Sequence, residues 1–308
     1  MKKTIMLAAI LLILAGCTGL NFKSKDTITI PDIREGTQGI EIEYLAELPP
    51  YEIFEGQLFE IGFELQNKGA EDVQNGLYTI GTNEQYITML DEKMNRFNAK
   101  GKSIYAPLGE QQTISLKAQA NKLSGPLTKQ STTIITNACY EYRTSATIIE
   151  CIDTQPLKKE KKVCTIQTTG NTGGQGGPVA VTNVEPKMTS HADTSKIVPG
   201  YVIQIQNLGT GQVIETQSVY EACMGQSIGK ENYDMVHVSA MLSNDVLNCE
   251  PAQIKLRQSD NKVFCTLNKG ISKTAGNYQA PLTVDLEYGY MQTKPKTIRI
   301  LKSNPTYY

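Results

Sequence analysis

The stretch FEIGFELQNKG at residues 59–69 alternates apolar and polar side chains, and a similar stretch, YVIQIQNLG, follows at residues 201–209. Alternation with a period of two is typical of a β-strand that buries one face. Each stretch ends in an Asn-x-Gly turn, at Asn67 and at Asn207, where asparagine and glycine tolerate the positive φ of a tight turn. Both stretches are therefore predicted to be half-buried strands that lead into short turns.

The same order of features occurs in both halves of the chain. A glycine-rich segment and a short apolar run precede the strand in each half, at residues 36–44 and 174–181. Each half ends in a Tyr-x-Tyr motif followed by β-branched residues, at residues 140–149 and 288–300. Self-similarity in a fixed order indicates duplicated structure. The tyrosines are predicted either to make tyrosine-corner contacts or to alternate between the faces of an ordinary strand.

Several short strands joined by turns in each half predict an all-β fold of two tandem immunoglobulin-like antiparallel β-sandwich domains. The first domain is predicted at residues 39–155 and the second at residues 179–302, with a C-terminal tail at residues 303–308. Residues 156–178 are predicted to be an interdomain linker, because their glycine-rich end cannot bury a core. An anion cradle of backbone amides is the weaker interpretation of that end.

This pattern of loop, strand and Asn-x-Gly resembles the immunoglobulin-like, CARDB-like adhesion modules of archaeal and bacterial surface proteins. The resemblance covers most of residues 40–302 and depends on a short motif, so it bears on fold more than on function. It implies a noncatalytic role in adhesion or envelope scaffolding, with a protein partner in the envelope.

One stretch departs from the β pattern. Apolar residues recur at intervals of three and four positions between Glu84 and Phe97, which predicts a short amphipathic helix. Such a helix would close one end of the first sandwich, or would offer a docking face on which methionines give adaptable contacts.

The N-terminal residues have the composition of an export signal. Lys2 and Lys3 precede an apolar run at residues 4–14, which fits the hydrophobic region of a signal peptide and is too short to span a bilayer. The sequence LAGC that ends at Cys17 resembles the lipobox of prokaryotic lipoproteins. An ordinary secretory signal with an incidental cysteine is the alternative.

The lipobox resemblance implies cleavage before Cys17 and lipidation of its thiol. Residues 1–16 are then a lipoprotein signal peptide, and residues 17–38 are the lipidated N-terminus and a tether. Two acyl chains give stable anchoring where a single chain is marginal. Membrane lipid is therefore an expected partner, and the expected location is extracytoplasmic and membrane-anchored, on the cell surface or the periplasmic face.

The cysteines support export, since six remain after Cys17 and an even number suits disulfides in an oxidising compartment. Two of them bracket a predicted strand-turn-strand stretch at residues 254–264, and two others enclose the basic run at residues 158–162. That run is interpreted as a solvated loop, with contact to anionic lipid head groups as the alternative. The predicted pairs are Cys249 with Cys265 and Cys151 with Cys164, which leaves Cys139 and Cys223 as a remainder that the sequence does not place.

The chain carries few groups suited to catalysis. Its histidines are His191 and His237, and the sequence lacks the motifs of serine hydrolases, phosphate loops, zinc proteases and EF-hands. No catalytic residue, metal site or cofactor is predicted. His237 is interpreted as a strand histidine rather than a general base, and His191 as a loop residue rather than a metal ligand with Asp193. The 30 lysines and arginines nearly balance 31 aspartates and glutamates, which argues against nucleic acid as a partner.

Two other functions compete with adhesion or scaffolding. The first is a substrate-binding or assembly-factor lipoprotein that serves a transporter or secretion machine, which a deep apolar pocket between the domains would favour. The second is an envelope enzyme, which would require His237 or His191 to lie beside a carboxylate or thiol in a cleft.

Overall fold

A computed structural model describes residues 33–158, 161–170, 173–256 and 261–303. Within these ranges the chain is almost entirely β. The strands of the first half are β1 (Ile40–Tyr44), β2 (Glu52–Phe54), β3 (Leu58–Asn67), β4 (Val73–Gly81), β5 (Ile87–Met89), β6 (Met94–Ala99), β7 (Gln111–Ala120) and β8 (Lys129–Asp153).

The second half adds strands and short helices. Its strands are β9 (Thr169–Gly170), β10 (Val179–Ser190), β11 (Lys196–Asn207), β12 (Gln212–Ile214), β13 (Met235–Leu242), β14 (Asp245–Val246), β15 (Asn248–Glu250), β16 (Gln253–Lys255), β17 (Lys262–Thr266), β18 (Ile271–Ser272) and β19 (Asn277–Leu301). Its helices are α1 (Val219–Cys223) and the 3-10 turns Thr216–Ser218, Lys230–Asn232 and Lys273–Ala275.

The strands form three sheets. A nine-stranded central sheet has the order β14-β13-β19-β8-β4-β6, with β12 and β2 also paired to β19 and β16 paired to β13. The first covering sheet has the order β1-β3-β7-β5, and the second covering sheet has the order β15-β17-β11-β10-β9, with β18 paired to β11. Almost all pairings are antiparallel, the exception being β2 with β19. The predicted all-β fold of antiparallel sandwiches is confirmed.

The central sheet is built on the pairing of β8 with β19. These two 25-residue strands pair along their whole lengths, from Lys129 opposite Leu301 to Asp153 opposite Asn277. Strands of this length extend about 80 Å at roughly 3.3 Å per residue. Alternate side chains are buried along both strands, so one face of the sheet forms a long apolar surface.

Both covering sheets pack on this same face. Tyr142 and Tyr288 lie directly opposite each other on β8 and β19, so their side chains share one face of the central sheet. The Tyr142 hydroxyl contacts Glu71 of the first half, whereas the Tyr288 hydroxyl contacts Val179 at the start of the second covering sheet. Buried side chains of all three sheets belong to one continuous hydrophobic core.

The two predicted domains are therefore not separate bodies, since the described residues belong to one compact unit. The halves share the central sheet, and each half supplies its own covering sheet. The predicted linker at residues 156–178 also needs correction, because its end is buried and built into the fold. The N–H of Gly176 donates to the Gly36 carbonyl, and the N–H of Ala70 donates to the Gly176 carbonyl.

The repeated tyrosines fasten the covering sheets to the central sheet. The N–H of Ile40 donates to the Tyr140 hydroxyl at 2.9 Å, and the N–H of Val179 donates to the Tyr288 hydroxyl at 3.2 Å. Each acceptor is the first tyrosine of its Tyr-x-Tyr motif, and each donor is the first residue of a covering-sheet strand, β1 or β10. The tyrosines thus make equivalent contacts in both halves rather than alternating between faces.

The second tyrosine of each motif binds the loop after the Asn-x-Gly turn. The N–H of Glu71 donates to the Tyr142 hydroxyl at 3.1 Å, and the N–H of Gly211 donates to the Tyr290 hydroxyl at 2.7 Å. Neighbouring rings of the four tyrosines lie 5.6–6.3 Å apart between centroids. Burial raises the pKa of all four hydroxyls above its ordinary value, so they remain neutral donors and acceptors.

The Asn-x-Gly glycines are needed for space and not, as predicted, for a positive φ. Gly69 and Gly209 do not have positive φ values. A Cβ atom at Gly69 would lie 1.9 Å from the Tyr142 hydroxyl, and one at Gly209 would lie 2.3 Å from the Tyr290 hydroxyl. Glycine at both positions therefore lets the tyrosine hydroxyl reach the turn backbone.

Two local predictions were wrong. Residues 84–97 do not form a helix, because they contain the short strand β5, a turn and the start of β6, whose spacing imitates a helical period. The stretch at residues 254–264 does not form a hairpin, because β16 pairs with β13 in the central sheet and β17 pairs with β11 in the second covering sheet.

The predicted signal peptide, Cys17 and the first part of the tether lie outside the described residues, as does most of the C-terminal tail. Within the described part of the chain, no helix has the length and apolar character needed to cross a membrane.

Candidate functional site

Helix α1 lies on the face of the central sheet opposite the two covering sheets, which we call the uncovered face. A disulfide joins Cys139 of β8 to Cys223 at the end of α1, and Thr79 of β4 donates to the Cys223 carbonyl at 3.3 Å. A Cβ atom at Gly289 would lie 2.1 Å from the Val219 side chain, so this glycine allows the helix to lie against the sheet. Covalent and packing contacts therefore hold α1 on one side of this face.

All six cysteines of the described part of the chain form disulfides. The bonded pairs are Cys139 with Cys223, Cys151 with Cys164, and Cys249 with Cys265. The last two are the pairs that the sequence predicts, although Cys249 meets Cys265 through the pairing of β15 with β17 and not through a hairpin. The first pair joins the two halves of the chain.

An open polar groove lies next to α1 at the centre of the uncovered face. Its volume is about 600 Å³. Residues of the central strands form its floor, the loop after Asn67 forms one wall, and the start of the 3-10 turn before α1 forms the other. The lining residues that matter for its charge are Glu71, Asp72, Glu141, Arg143 and Glu287.

Carboxylates outnumber cations in this groove, which we call the central groove. Arg143 is its one cation, and it forms an ion pair with Glu71 at 3.1 Å. Asp72 accepts a hydrogen bond from the N–H of Gly101 at 2.8 Å. Glu141 and Glu287 are exposed, and among the described residues neither has an ion-pair partner. Glu287 lies directly opposite Arg143 in the register of β19 with β8. The groove therefore presents two exposed carboxylates to a positively charged group.

His237 lies beside the groove, in register with Glu287 on the neighbouring strand. Its Nε2 atom lies 2.6 Å from a carboxylate oxygen of Glu215, and its Nδ1 atom lies 3.1 Å from the Gln253 amide nitrogen. Because the amide nitrogen is a donor, Nδ1 accepts and Nε2 donates to Glu215. The sequence interpretation as a satisfied strand histidine fits these contacts, since both ring nitrogens are occupied.

The other candidate residues that the sequence singled out do not form a shared site. His191 accepts a hydrogen bond from the N–H of Asp193 at 2.8 Å, and the Asp193 carboxylate binds Ser195, whose hydrogen bonds lower the Asp193 pKa. Lys162 of the basic run forms an ion pair with Asp153. In the described ranges, no three histidine, cysteine or acidic side chains are placed to hold a metal ion.

The sequence did not single out the groove residues, although one signal was present. Glu141 stands between the tyrosines of the first Tyr-x-Tyr motif. Because successive residues of a strand point to opposite faces, a residue between two buried tyrosines must face outward. Glu287 precedes the second motif by one position and faces outward for the same reason. Their proximity depends on the register of β8 with β19, which the sequence pattern does not specify.

No protein-family model and no curated protein matches the chain. Among solved structures, the Enterococcus faecalis MSCRAMM ACE, described as binding its ligands by the collagen hug model, shares 7% identity with a TM-score of 0.15, over 88% of this chain and 98% of that chain. The CupB6 tip adhesin from Pseudomonas aeruginosa shares 10% identity with a TM-score of 0.15, over 87% and 97%. Similarity at these scores gives no information about the function of this chain.

Proposed function

We propose that the chain is a noncatalytic attachment protein of the cell exterior, held to a membrane by lipid at Cys17 and acting in adhesion or envelope scaffolding. The observation that carries the proposal is the shared central sheet. Two 25-residue strands pair along their full lengths and brace both sandwiches, and the tyrosine hydroxyls bind the covering sheets to them. Such a frame resists bending and holds an exposed face in a fixed shape.

The disulfides support an exterior location. Three disulfides stabilise the described part of the chain, and protein disulfides persist in oxidising compartments outside the cytoplasm. The lipobox resemblance at Cys17 supports the anchor, because acyl chains on the new N-terminus would hold the folded unit at a membrane surface.

The central groove is the surface that we assign to a protein partner. It is wide, open and polar, and its exposed carboxylates at Glu141 and Glu287 suit a basic segment of an envelope protein. The substrate-binding or assembly-factor alternative expects a deep apolar pocket, which differs from the character of this groove. The enzyme alternative gains little from His237, because Glu215 and Gln253 already engage both of its ring nitrogens.

The anchor is tested by fractionation and intact mass. Wild-type protein should be found in the membrane fraction with residues 1–16 removed and acyl mass added, whereas Cys17→Ser should be found in the soluble fraction. Wild-type protein that keeps its N-terminus would overturn the anchor.

The attachment role is tested by binding the purified Cys17→Ser chain to isolated cell envelopes at several salt concentrations. Glu141→Gln with Glu287→Gln should weaken binding by about three- to tenfold, since exposed charge pairs contribute up to about 1 kcal/mol each. The matched control is Glu92→Gln with Glu221→Gln, which removes the same charge at exposed sites outside the groove. Equal binding of the two double variants contradicts the assignment of the groove.

A further inference from the structure

A second cavity lies at the outer end of the second sandwich, away from the central groove. It has a volume of about 320 Å³, and Glu150 of the central sheet and Thr169 of edge strand β9 are among the residues that line it. The disulfide between Cys151 and Cys164 forms part of its wall. Neutral polar side chains line most of the rest, namely Thr165, Gln167 and Gln279.

Glu150 is a buried carboxylate with little hydrogen bonding and no nearby cation in the cavity lining. It is 2% exposed, and its hydrogen-bond partner among the described residues is the Thr169 hydroxyl at a long 3.4 Å. The lining of this cavity contains no lysine, arginine or histidine. Burying an ionised carboxylate without a cation or several donors is unfavourable, and ionised Glu150 has no counter-charge among the described residues that line the cavity.

A neighbouring tyrosine gives independent evidence of an unmet polar group in this core. Tyr201 of β11 is fully buried, and its hydroxyl has no hydrogen-bond partner among the residues that the structure describes. Burial raises its pKa far above the ordinary value, and the negative charge of Glu150 raises it further, which places the hydroxyl within electrostatic reach of that carboxylate. Buried tyrosine hydroxyls usually have a partner.

We propose that this cavity binds a protonated primary amine, with the Glu150 carboxylate as its counter-ion and the surrounding hydroxyl and amide oxygens as further acceptors. The amine is either a free alkylamine or the end of a lysine side chain. An ammonium group offers three donors, which match one carboxylate and several neutral oxygens. A calcium ion instead prefers six to eight oxygens with more carboxylate charge than one glutamate supplies. This assignment is independent of the role of the central groove.

Burial raises the pKa of Glu150 to about 7. Only its ionised form attracts an ammonium group, so amine binding should strengthen as the pH rises through about 7. The titratable group that faces Glu150 from the opposite sheet is Tyr201, whose pKa lies too high for it to titrate in this range. Bound amine should in turn lower the Glu150 pKa towards its ordinary value.

The test is an NMR titration of the whole chain at pH 8 with n-butylamine, with Nα-acetyl-lysine amide and with n-butanol. Saturable shifts with n-butylamine at resonances around Thr169 support the proposal, and binding of the lysine derivative as well identifies a side-chain ligand. Saturation by n-butanol alone, or by calcium chloride in preference to both amines, overturns the proposal, as does the absence of any saturable shift.

Glu150→Gln should weaken amine binding at least about tenfold, whereas Glu92→Gln, at an exposed site that lines neither cavity, should bind as the wild type does. Unchanged binding in Glu150→Gln overturns the proposal. Thr169→Val is the second variant, because it removes an acceptor and keeps the side-chain volume, so it should weaken binding even if Glu150→Gln fails to fold. These outcomes do not depend on envelope binding, so failure here leaves the attachment role intact.

Discussion

At the scale of residues, the fold depends on side-chain hydroxyls that reach backbone groups far away in sequence. The Tyr142 hydroxyl accepts from the N–H of Glu71 and donates to the Gly176 carbonyl at 3.0 Å. One side chain thus pairs with backbone groups on two different loops, and it is the acceptor for the partly buried N–H of Glu71. A buried backbone group without a partner costs about 1–3 kcal/mol, so this hydroxyl contributes more than its own hydrogen bonds suggest.

Tyr142→Phe should therefore lower the free energy of unfolding by about 1–3 kcal/mol, because it leaves the N–H of Glu71 without its acceptor and removes one of the two donors to the Gly176 carbonyl. Tyr201→Phe is the matched control, since the Tyr201 hydroxyl is also buried and has no hydrogen-bond partner in the described part of the chain. Removing it should change the stability by less than about 0.5 kcal/mol or increase it. Urea unfolding of both variants measures the difference. An equal loss of stability in both variants would show that the hydrogen bonds of the Tyr142 hydroxyl do not account for the effect.

Glu150 should make the stability depend on pH. Burial raises its pKa from 4.5 to about 7 in the folded chain. Between these values the folded chain retains a proton that the unfolded chain releases, so the free energy of unfolding falls as the pH rises. The full change is on the order of 3 kcal/mol and is complete above about pH 7. Urea unfolding at pH 5 and pH 8 should show this fall in the wild type and its loss in Glu150→Gln. If the free energy of unfolding of Glu150→Gln still falls between pH 5 and pH 8, other titratable groups cause the change.

At the scale of elements, the sequence predicts strands well and their partners poorly. Period-two alternation locates β3 and β11 because each buries one face against the core. The predicted helix at residues 84–97 fails because two short strands and a turn place apolar residues at three- and four-residue intervals. Local spacing cannot distinguish these cases, since the deciding interactions are pairings of β5 with β7 and of β6 with β4.

The disulfides differ in what they hold together. Cys139 and Cys223 are separated by 84 residues, whereas Cys151 and Cys164 are separated by 13. In the chain-entropy account a disulfide stabilises more when it closes a longer loop. Replacing both cysteines of the first pair by alanine should cost about 4–5 kcal/mol, and replacing both of the second should cost about 3 kcal/mol. Denaturant unfolding without reductant measures both. The reverse order would mean that strain or residual structure outweighs loop entropy.

At the scale of the whole molecule, the similarity of the two halves does not specify how they pair with each other. From the sequence alone, two similar halves predict two separate domains, because the pattern within each half contains no information about contacts between them. In the structure Tyr140 lies opposite Tyr290 and Tyr142 opposite Tyr288, so the two motifs meet at the centre of one sheet. The central groove arises at this meeting point and combines residues of both halves. The sequence pattern contains its side chains but not the register that assembles them.

Sharing the central sheet should make both halves unfold together. Leu65 on β3 and Ile205 on β11 are fully buried, one under each covering sheet. Truncating either to alanine should cost about 2–5 kcal/mol. If the halves form one cooperative unit, Leu65→Ala and Ile205→Ala will each lower the midpoint of a single calorimetric transition by several degrees without splitting it. If the halves are independent, each variant will shift only one of two transitions. A single transition is expected because unfolding one half would strip β8 or β19 of its partner and expose the apolar face that both covering sheets bury.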